Sequence, residues 1–271
     1  MTRSLLDIAC HIYGLAAVVY LAFLVRQWKP LATAGRIVVA SGLILHGISL
    51  ALLLSNEGGA PRGFSDALSM LAFLLLAIFL LLDLRYTLPV AGAFLLPAAL
   101  AVLVPSFMVG NGAGGLPDSV RAPLLPLHIS VALLGIASFA AAAGVAVMYL
   151  LMERQVKGKK FGLLFSRLPS LHFLDELNRK LVVAGFIALS ITLVTGAFFV
   201  SSASFFWAWQ PKEIATVVAW VVFASLLNAR VFAGWQGKRV AVLTMAGFCI
   251  LLVSFLSSYN VTAVVASAGV H

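Results

Sequence analysis

The chain is divided into long apolar stretches whose few charges lie near their ends, and this feature limits its fold more than any other. Reading for uncharged apolar blocks of roughly 18 residues or more gives eight, at about 5 to 25, 36 to 54, 64 to 82, 87 to 107, 123 to 152, 181 to 201, 212 to 233 and 240 to 266. Each is long enough to span a bilayer as a helix, and in lipid a helix satisfies its own backbone hydrogen bonds. The expected fold is therefore all-α, a polytopic membrane protein with about eight transmembrane helices. The balance of 62% apolar against 10% charged residues excludes an ordinary cytosolic enzyme. The first block is too long for a removed leader and has no small-residue cleavage site after a basic start, so it is expected to be an uncleaved anchor.

The connecting segments carry the charge, and its sidedness predicts orientation. Arg26, Lys29 and Arg36, then Arg85, then Arg154, Lys157, Lys159, Lys160, Arg167, Arg179 and Lys180, and finally Arg230, Lys238 and Arg239 all fall on one side. Only Arg3, Arg62, Arg121 and Lys212 fall on the other. Because Lys and Arg resist translocation, the crowded side is expected to be cytoplasmic, with both termini outside. The net charge of +9 is thus a topology signal. It forms no aromatic-interleaved basic surface, so no nucleic-acid partner is expected. The run from Glu153 to Lys180 is expected to be a cytoplasmic loop drawn to anionic lipid. Cys10 and Cys249 lie in apolar blocks and are expected to be small buried hydrophobes. The glycines between Gly110 and Gly115 lack a following phosphate-loop lysine and suggest a flexible linker in an outer loop. No internal repeat is evident, and the economical count is one transmembrane domain, 1–271.

Span interiors hold no Asp, Glu, Lys or Arg on this reading, which weighs against an ion-coupled transporter. They do hold histidine. His11, His46 and His128 lie roughly 9, 12 and 8 Å below the outer ends of the first, second and fifth spans, at about 1.5 Å per residue. A lone intramembrane imidazole is usually a packing residue, whereas three at similar depth form a plausible ligand set. A compact zinc site wants a carboxylate or thiolate beside them, and Cys10 points to a different helix face from His11. Haem, a large apolar macrocycle needing one or two imidazoles, fits better. His172 and His271 are expected at the surface.

The outer segment Ser204-Phe205-Phe206-Trp207-Ala208-Trp209-Gln210-Pro211-Lys212-Glu213 is the most specific in the chain. If extended, it puts Trp207 and Trp209 on one face, and Pro211 suits the first turn of the next helix. An interfacial aromatic belt is one reading. The other is a platform on which a planar anionic ligand stacks, its carboxylate meeting Lys212.

This stretch resembles the tryptophan-rich motif, close to WGxxWxWDPKE, of the haem-handling cytochrome c assembly proteins of the CcsA/CcmC type. The similarity continues through Ala219-Trp220, Arg230, Gly234-Trp235-Gln236-Gly237-Lys238-Arg239 and Gly247-Phe248, and upstream at Leu127-His128-Ile129-Ser130. It covers a core of about 123–260, including a periplasmic tryptophan-rich loop at about 202–213, with a weaker match over the first four spans. His46 is similar to a feature of the shorter YpjD-like branch. The resemblance implies a haem-binding protein of the bacterial inner membrane that holds or presents haem b at its outer face. It would assist cytochrome c assembly with apocytochrome c or other assembly subunits, as a factor and not an enzyme. It also implies His128 as an axial ligand, with His46 as second candidate, and Trp207 and Trp209 as the platform. Departures are Gln210 for the motif's Asp, Ala203-Ser204 for its leading Trp-Gly, Asn228 where the seventh span would carry a histidine, and only His271 as a counterpart of the last outer histidine. An amide is no strong axial ligand, so a deeper second haem site has lost its ligand. The alternative expectation is a haem-free membrane scaffold or transport accessory derived from the same fold.

Overall fold

A computed structural model of the protein describes residues 2–56, 61, 63–109, 125–159, 162–203 and 211–257. Among them are nine α-helices: α1 (Thr2–Arg26), α2 (Lys29–Asn56), α3 (Phe64–Tyr86), α4 (Gly92–Met108), α5 (Leu125–Lys157), α6 (Leu163–Arg167), α7 (Leu171–Ala203), α8 (Pro211–Phe232) and α9 (Lys238–Ser257). A 3-10 turn at Pro89–Ala91 leads into α4, and no strand occurs among the described residues. All but α6 are long and apolar enough to cross a bilayer. The protein is a multi-pass helical membrane protein. The eight expected spans are all present.

Two helices run well past the uncharged blocks. α7 starts at Leu171, not 181, and α5 continues to Lys157, so much of the expected 153–180 loop is helical. Charge ends a hydrophobic block without ending a helix. Here pairs at helical spacing carry the extra turns: Lys157 with Glu153 at 2.7 Å, and Arg179 with Glu176 at 2.6 Å.

Short connections make neighbours antiparallel. Only Gln27 and Trp28 separate α1 from α2, and both α1 with α2 and α8 with α9 pack along their lengths. α5 is the central helix, touching α3, α4, α6, α7 and α9; two thirds of its apolar window is buried, against 17% for α8. Its inward face is rich in small residues, with Gly135, Ala137, Ala141, Ala142 and Ala146 buried, which lets backbones approach in lipid. The close approach is filled by aromatics. Phe139 of α5 stacks on Phe223 of α8, centroids 3.7 Å apart. Gly185 of α7 and Gly247 of α9 flank this pair, and a β-carbon on either would stand 3.0 or 2.8 Å from a ring atom. Four helices are thereby keyed at one level.

The end of the bundle holding Arg26, Arg85, Lys157 and Arg230, the basic end, is closed by two polar junctions. Asp83 of α3 is fully buried and receives Arg36 Nε at 2.7 Å and Nη2 at 3.1 Å, with the Tyr20 hydroxyl at 3.5 Å. Asp175 of α7 receives both terminal nitrogens of Arg230 and the backbone N–H of Gly237. Next to it Asn178 accepts from Arg230 and from Thr244 and donates to the carbonyl of Ala142. These charges lie near span ends and are paired, in keeping with the cost of ionisable groups in lipid.

Candidate functional site

The opposite end holds the histidine expected to matter most. His128 sits in the first turn of α5, half-buried, and its Nδ1 lies 2.7 Å from the hydroxyl of Thr195 on α7. That hydroxyl donates to the carbonyl of Ile191, one turn earlier, at 2.8 Å. With its one proton on that carbonyl, Thr195 accepts from the ring and Nδ1 carries the hydrogen. A hydrogen bond at one ring nitrogen is what orients the imidazoles that serve as metal ligands. The ring edge also packs over Gly196, where a β-carbon would be 3.4 Å from Cε1. Nothing in the sequence pointed to Thr195; the nearest signal was the Thr195-Gly196 pair, a small polar residue beside a residue without a side chain.

Below this level α7 and α8 are tied by a second polar contact. Trp220 donates its indole N–H to Ser190 at 2.9 Å and stacks on Phe186, centroids 5.4 Å apart. Thr216 of α8 and Ser254 of α9 share a 2.6 Å hydrogen bond. The helices that flank the tryptophan-rich segment are therefore fixed by side chains outside it. Pro211 is the first residue of α8, as expected. Trp207, Trp209 and Gln210 lie outside the described residues, as do His271 and the glycines from Gly110 to Gly115. Of Lys212 only the backbone, in the first turn of α8, is described.

His46 is placed differently. It is fully buried, with the Tyr13 hydroxyl 3.3 Å from Nδ1 and the Ser69 hydroxyl 2.9 Å from Nε2. Phe73 meets it edge-on at 5.4 Å. A neutral imidazole has one donor and one acceptor, and both are engaged here. Its partners lie on α1 and α3, whereas that of His128 lies on α7; the two rings share none of these contacts. His11 is exposed, its Nδ1 donating to the carbonyl of Asp7 at 2.8 Å. His172 is exposed as expected. The cysteines depart from expectation: Cys10 is half-buried and Cys249 faces outward. In a bilayer an apolar sequence context does not imply a protein-facing side chain, because lipid accepts the outward face equally well. No group of three His, Cys, Asp or Glu placed to hold a metal ion occurs among the described residues. Asn228 is exposed, its amide donating to the carbonyl of Ala224 at 2.8 Å.

A helical membrane bundle of eight spans, with a half-buried histidine of α5 hydrogen-bonded to α7 near one end, is the class these features define. The chain belongs to the cytochrome c assembly protein family, whose model matches residues 34–265. The match extends well beyond the 123–260 core expected from motifs. Among relatives, the cytochrome c biogenesis protein CcsA of Prochlorococcus marinus strain SARG is 26% identical over 250 residues, covering 82% of this chain and 79% of that protein. CcsA of Synechococcus sp. strain CC9902 is 25% identical over 248 residues, 82% of each chain. A local match to CcsA of Prochlorococcus marinus strain NATL2A reaches 38% over 84 residues, spanning about a quarter of that relative, 27%.

Proposed function

We propose that this protein is a cytochrome c biogenesis factor that binds haem b at the end of the bundle opposite its basic end. In the proposed orientation that end is the outer face of the bacterial inner membrane, with both termini on the same side. The observation that carries the reading is the His128–Thr195 pair, a half-buried imidazole hydrogen-bonded between α5 and α7 at the end of the bundle opposite the basic one. Haem, when bound, would supply a redox-active iron for an imidazole to hold and two propionate carboxylates for a cation to meet. His128 would serve as axial ligand and Thr195 would orient it. Trp207 and Trp209 would form the stacking platform, and Lys212 would pair with a propionate. His46 is the second ligand candidate, and in that role it would give up the Ser69 or Tyr13 hydrogen bond. The protein would hold and present haem to apocytochrome c or partner subunits without turnover; among the described residues around His128 there is neither a nucleophile with its base nor a carboxylate pair.

The test is the absorption spectrum of the full chain purified in mild detergent after expression with ample haem. A Soret band in the wild type that is lost in His128→Ala is the expected result. Absence of the band in the wild type would overturn the proposal and leave the haem-free scaffold, the reading that the exposed amide of Asn228 favours. Orientation is tested separately by an impermeant thiol reagent on Cys10/Cys249-free variants carrying Arg3→Cys or Lys159→Cys. Only the first should be labelled from outside.

A further inference from the structure

At the basic end, a groove of about 480 Å³ runs between α5 and α9. Its floor is apolar, formed by Val147, Leu150, Leu151, Val242 and Met245. Its mouth is lined by Arg154, Lys157 and Lys238, with Glu153 the one acid among the described lining residues. Glu153 is taken up by Lys157 at 2.7 Å. Arg154 and Lys238 are both exposed and have no acidic partner among the described residues.

The position of Lys238 is set by the fold. It opens α9 directly after Gly237, whose φ of +73° suits glycine. The N–H of Gly237 donates to Asp175 at 3.0 Å, and a β-carbon there would lie 2.7 Å from the Tyr149 hydroxyl of α5. The turn is thus held against α7 and α5 at once, which places the first cation of α9 over the groove. Lys238 also lines an adjoining hollow with Trp235 and Arg239, and the Arg239 guanidinium lies 6.0 Å from the Trp235 ring centroid. A tryptophan beside cations at a span end marks the membrane–water interface. The groove therefore opens at headgroup depth, with its apolar floor extending toward the acyl region.

We propose that this groove binds one anionic phospholipid, its phosphate between Arg154 and Lys238 and an acyl chain along α5 and α9. Charge complementarity sets the headgroup, since a zwitterionic lipid would bring its own cation against two unpaired ones. The apolar floor sets the lipid over a free anion, which would leave that floor bare. The inference is independent of haem binding.

The test is native mass spectrometry of the full chain in detergent, titrated with phosphatidylglycerol, with phosphatidylcholine, and with phosphatidylglycerol in the presence of millimolar inorganic phosphate. The wild type should retain one phosphatidylglycerol in preference to phosphatidylcholine and keep it against phosphate. At about fivefold per cation near a membrane surface, Arg154→Gln with Lys238→Gln should weaken that binding about thirty-fold. The pair Arg26→Gln with Lys29→Gln, on α1 and α2 and outside the groove lining, should leave it unchanged. Leu150→Trp, which fills the groove and keeps the cations, should also lose the lipid. Helicity and melting temperature are compared for each variant, and the single Arg154→Ala and Lys238→Ala changes, about fivefold each, replace the double variant if it does not fold. Equal retention of the two lipids by the wild type, undiminished binding in folded charge variants, or displacement by inorganic phosphate would each overturn the proposal.

Discussion

Replacing Thr195 by valine is the sharpest probe of the proposed haem site, because it keeps the residue's shape and deletes one oxygen. That oxygen accepts the His128 Nδ1 hydrogen at 2.7 Å while its own proton is committed to Ile191. In the variant the imidazole loses the partner that fixes its tautomer, and its hydrogen is no longer held away from Nε2. Loss of such a supporting hydrogen bond costs a metal site about 10- to 100-fold in affinity, or about 1.4 to 2.7 kcal/mol at 1.36 kcal/mol per decade. The ring itself should stay in place, since it packs over Gly196. Haem titration of the purified chain, followed at the Soret maximum, should show weakening within that range for Thr195→Val and wild-type behaviour for Thr195→Ser. Thermal melting of haem-free protein gives the folding cost separately, about 1 to 3 kcal/mol for a donor left unpaired. If Thr195→Val binds haem like the wild type while His128→Ala does not, the tautomer argument is wrong. If valine and serine variants weaken binding equally, packing and not the hydrogen bond is responsible.

Other outcomes follow from single contacts. Gly237→Ala combines a positive φ with a 2.7 Å clash on the Tyr149 hydroxyl and should destabilise by about 2 kcal/mol or more, whereas Gly234→Ala, at φ +62° with open space around it, should cost about 1 kcal/mol; chemical unfolding in detergent would order them, and Tyr149→Phe should relieve the first. Arg36→Met strands the fully buried Asp83 and should cost about 3 kcal/mol, much of it recovered in the double variant with Asp83→Leu. His46→Phe leaves the hydroxyls of Tyr13 and Ser69 without their ring partner and should lower stability by about 1 to 3 kcal/mol. If its haem absorbance per folded molecule also collapses, His46 is a ligand and not a core residue.

What the sequence made legible was set by physics that acts residue by residue. Bilayer thickness imposes a length on each uncharged run, so all eight spans could be counted, and proline at the start of α8 could be placed because it lacks only a hydrogen bond that position never makes. Pairwise contacts across helices leave no such local mark. Asp175 and Asn178 looked like loop residues because charge interrupts an apolar block, yet they form the junction that receives Arg230 and Gly237. His46 and His128 looked alike in depth, and only their partners separate a ring engaged by Tyr13 and Ser69 from one whose tautomer Thr195 sets. Cys249 illustrates the same limit. In lipid the apolar pattern does not say which face of a helix points inward, since both sides are apolar.

The helix α7 links these observations into one mechanical argument. Its first turns are bound at the basic end through Asp175 and Asn178 to α8, α9 and α5. Its middle is bound to α8 through Ser190 and Phe186 on Trp220, and Thr195 lies one turn beyond. The tryptophan-rich segment begins after Ala203, eight residues or about 12 Å further along the axis. Both helices that carry this segment are therefore fixed by contacts that do not involve it. Side chains carried on helices braced in this way, Thr195 among them, are held more precisely than side chains on loops. Perturbing the Asp175–Arg230 junction should accordingly act on stability first, and on haem affinity only through displacement of Thr195 relative to His128.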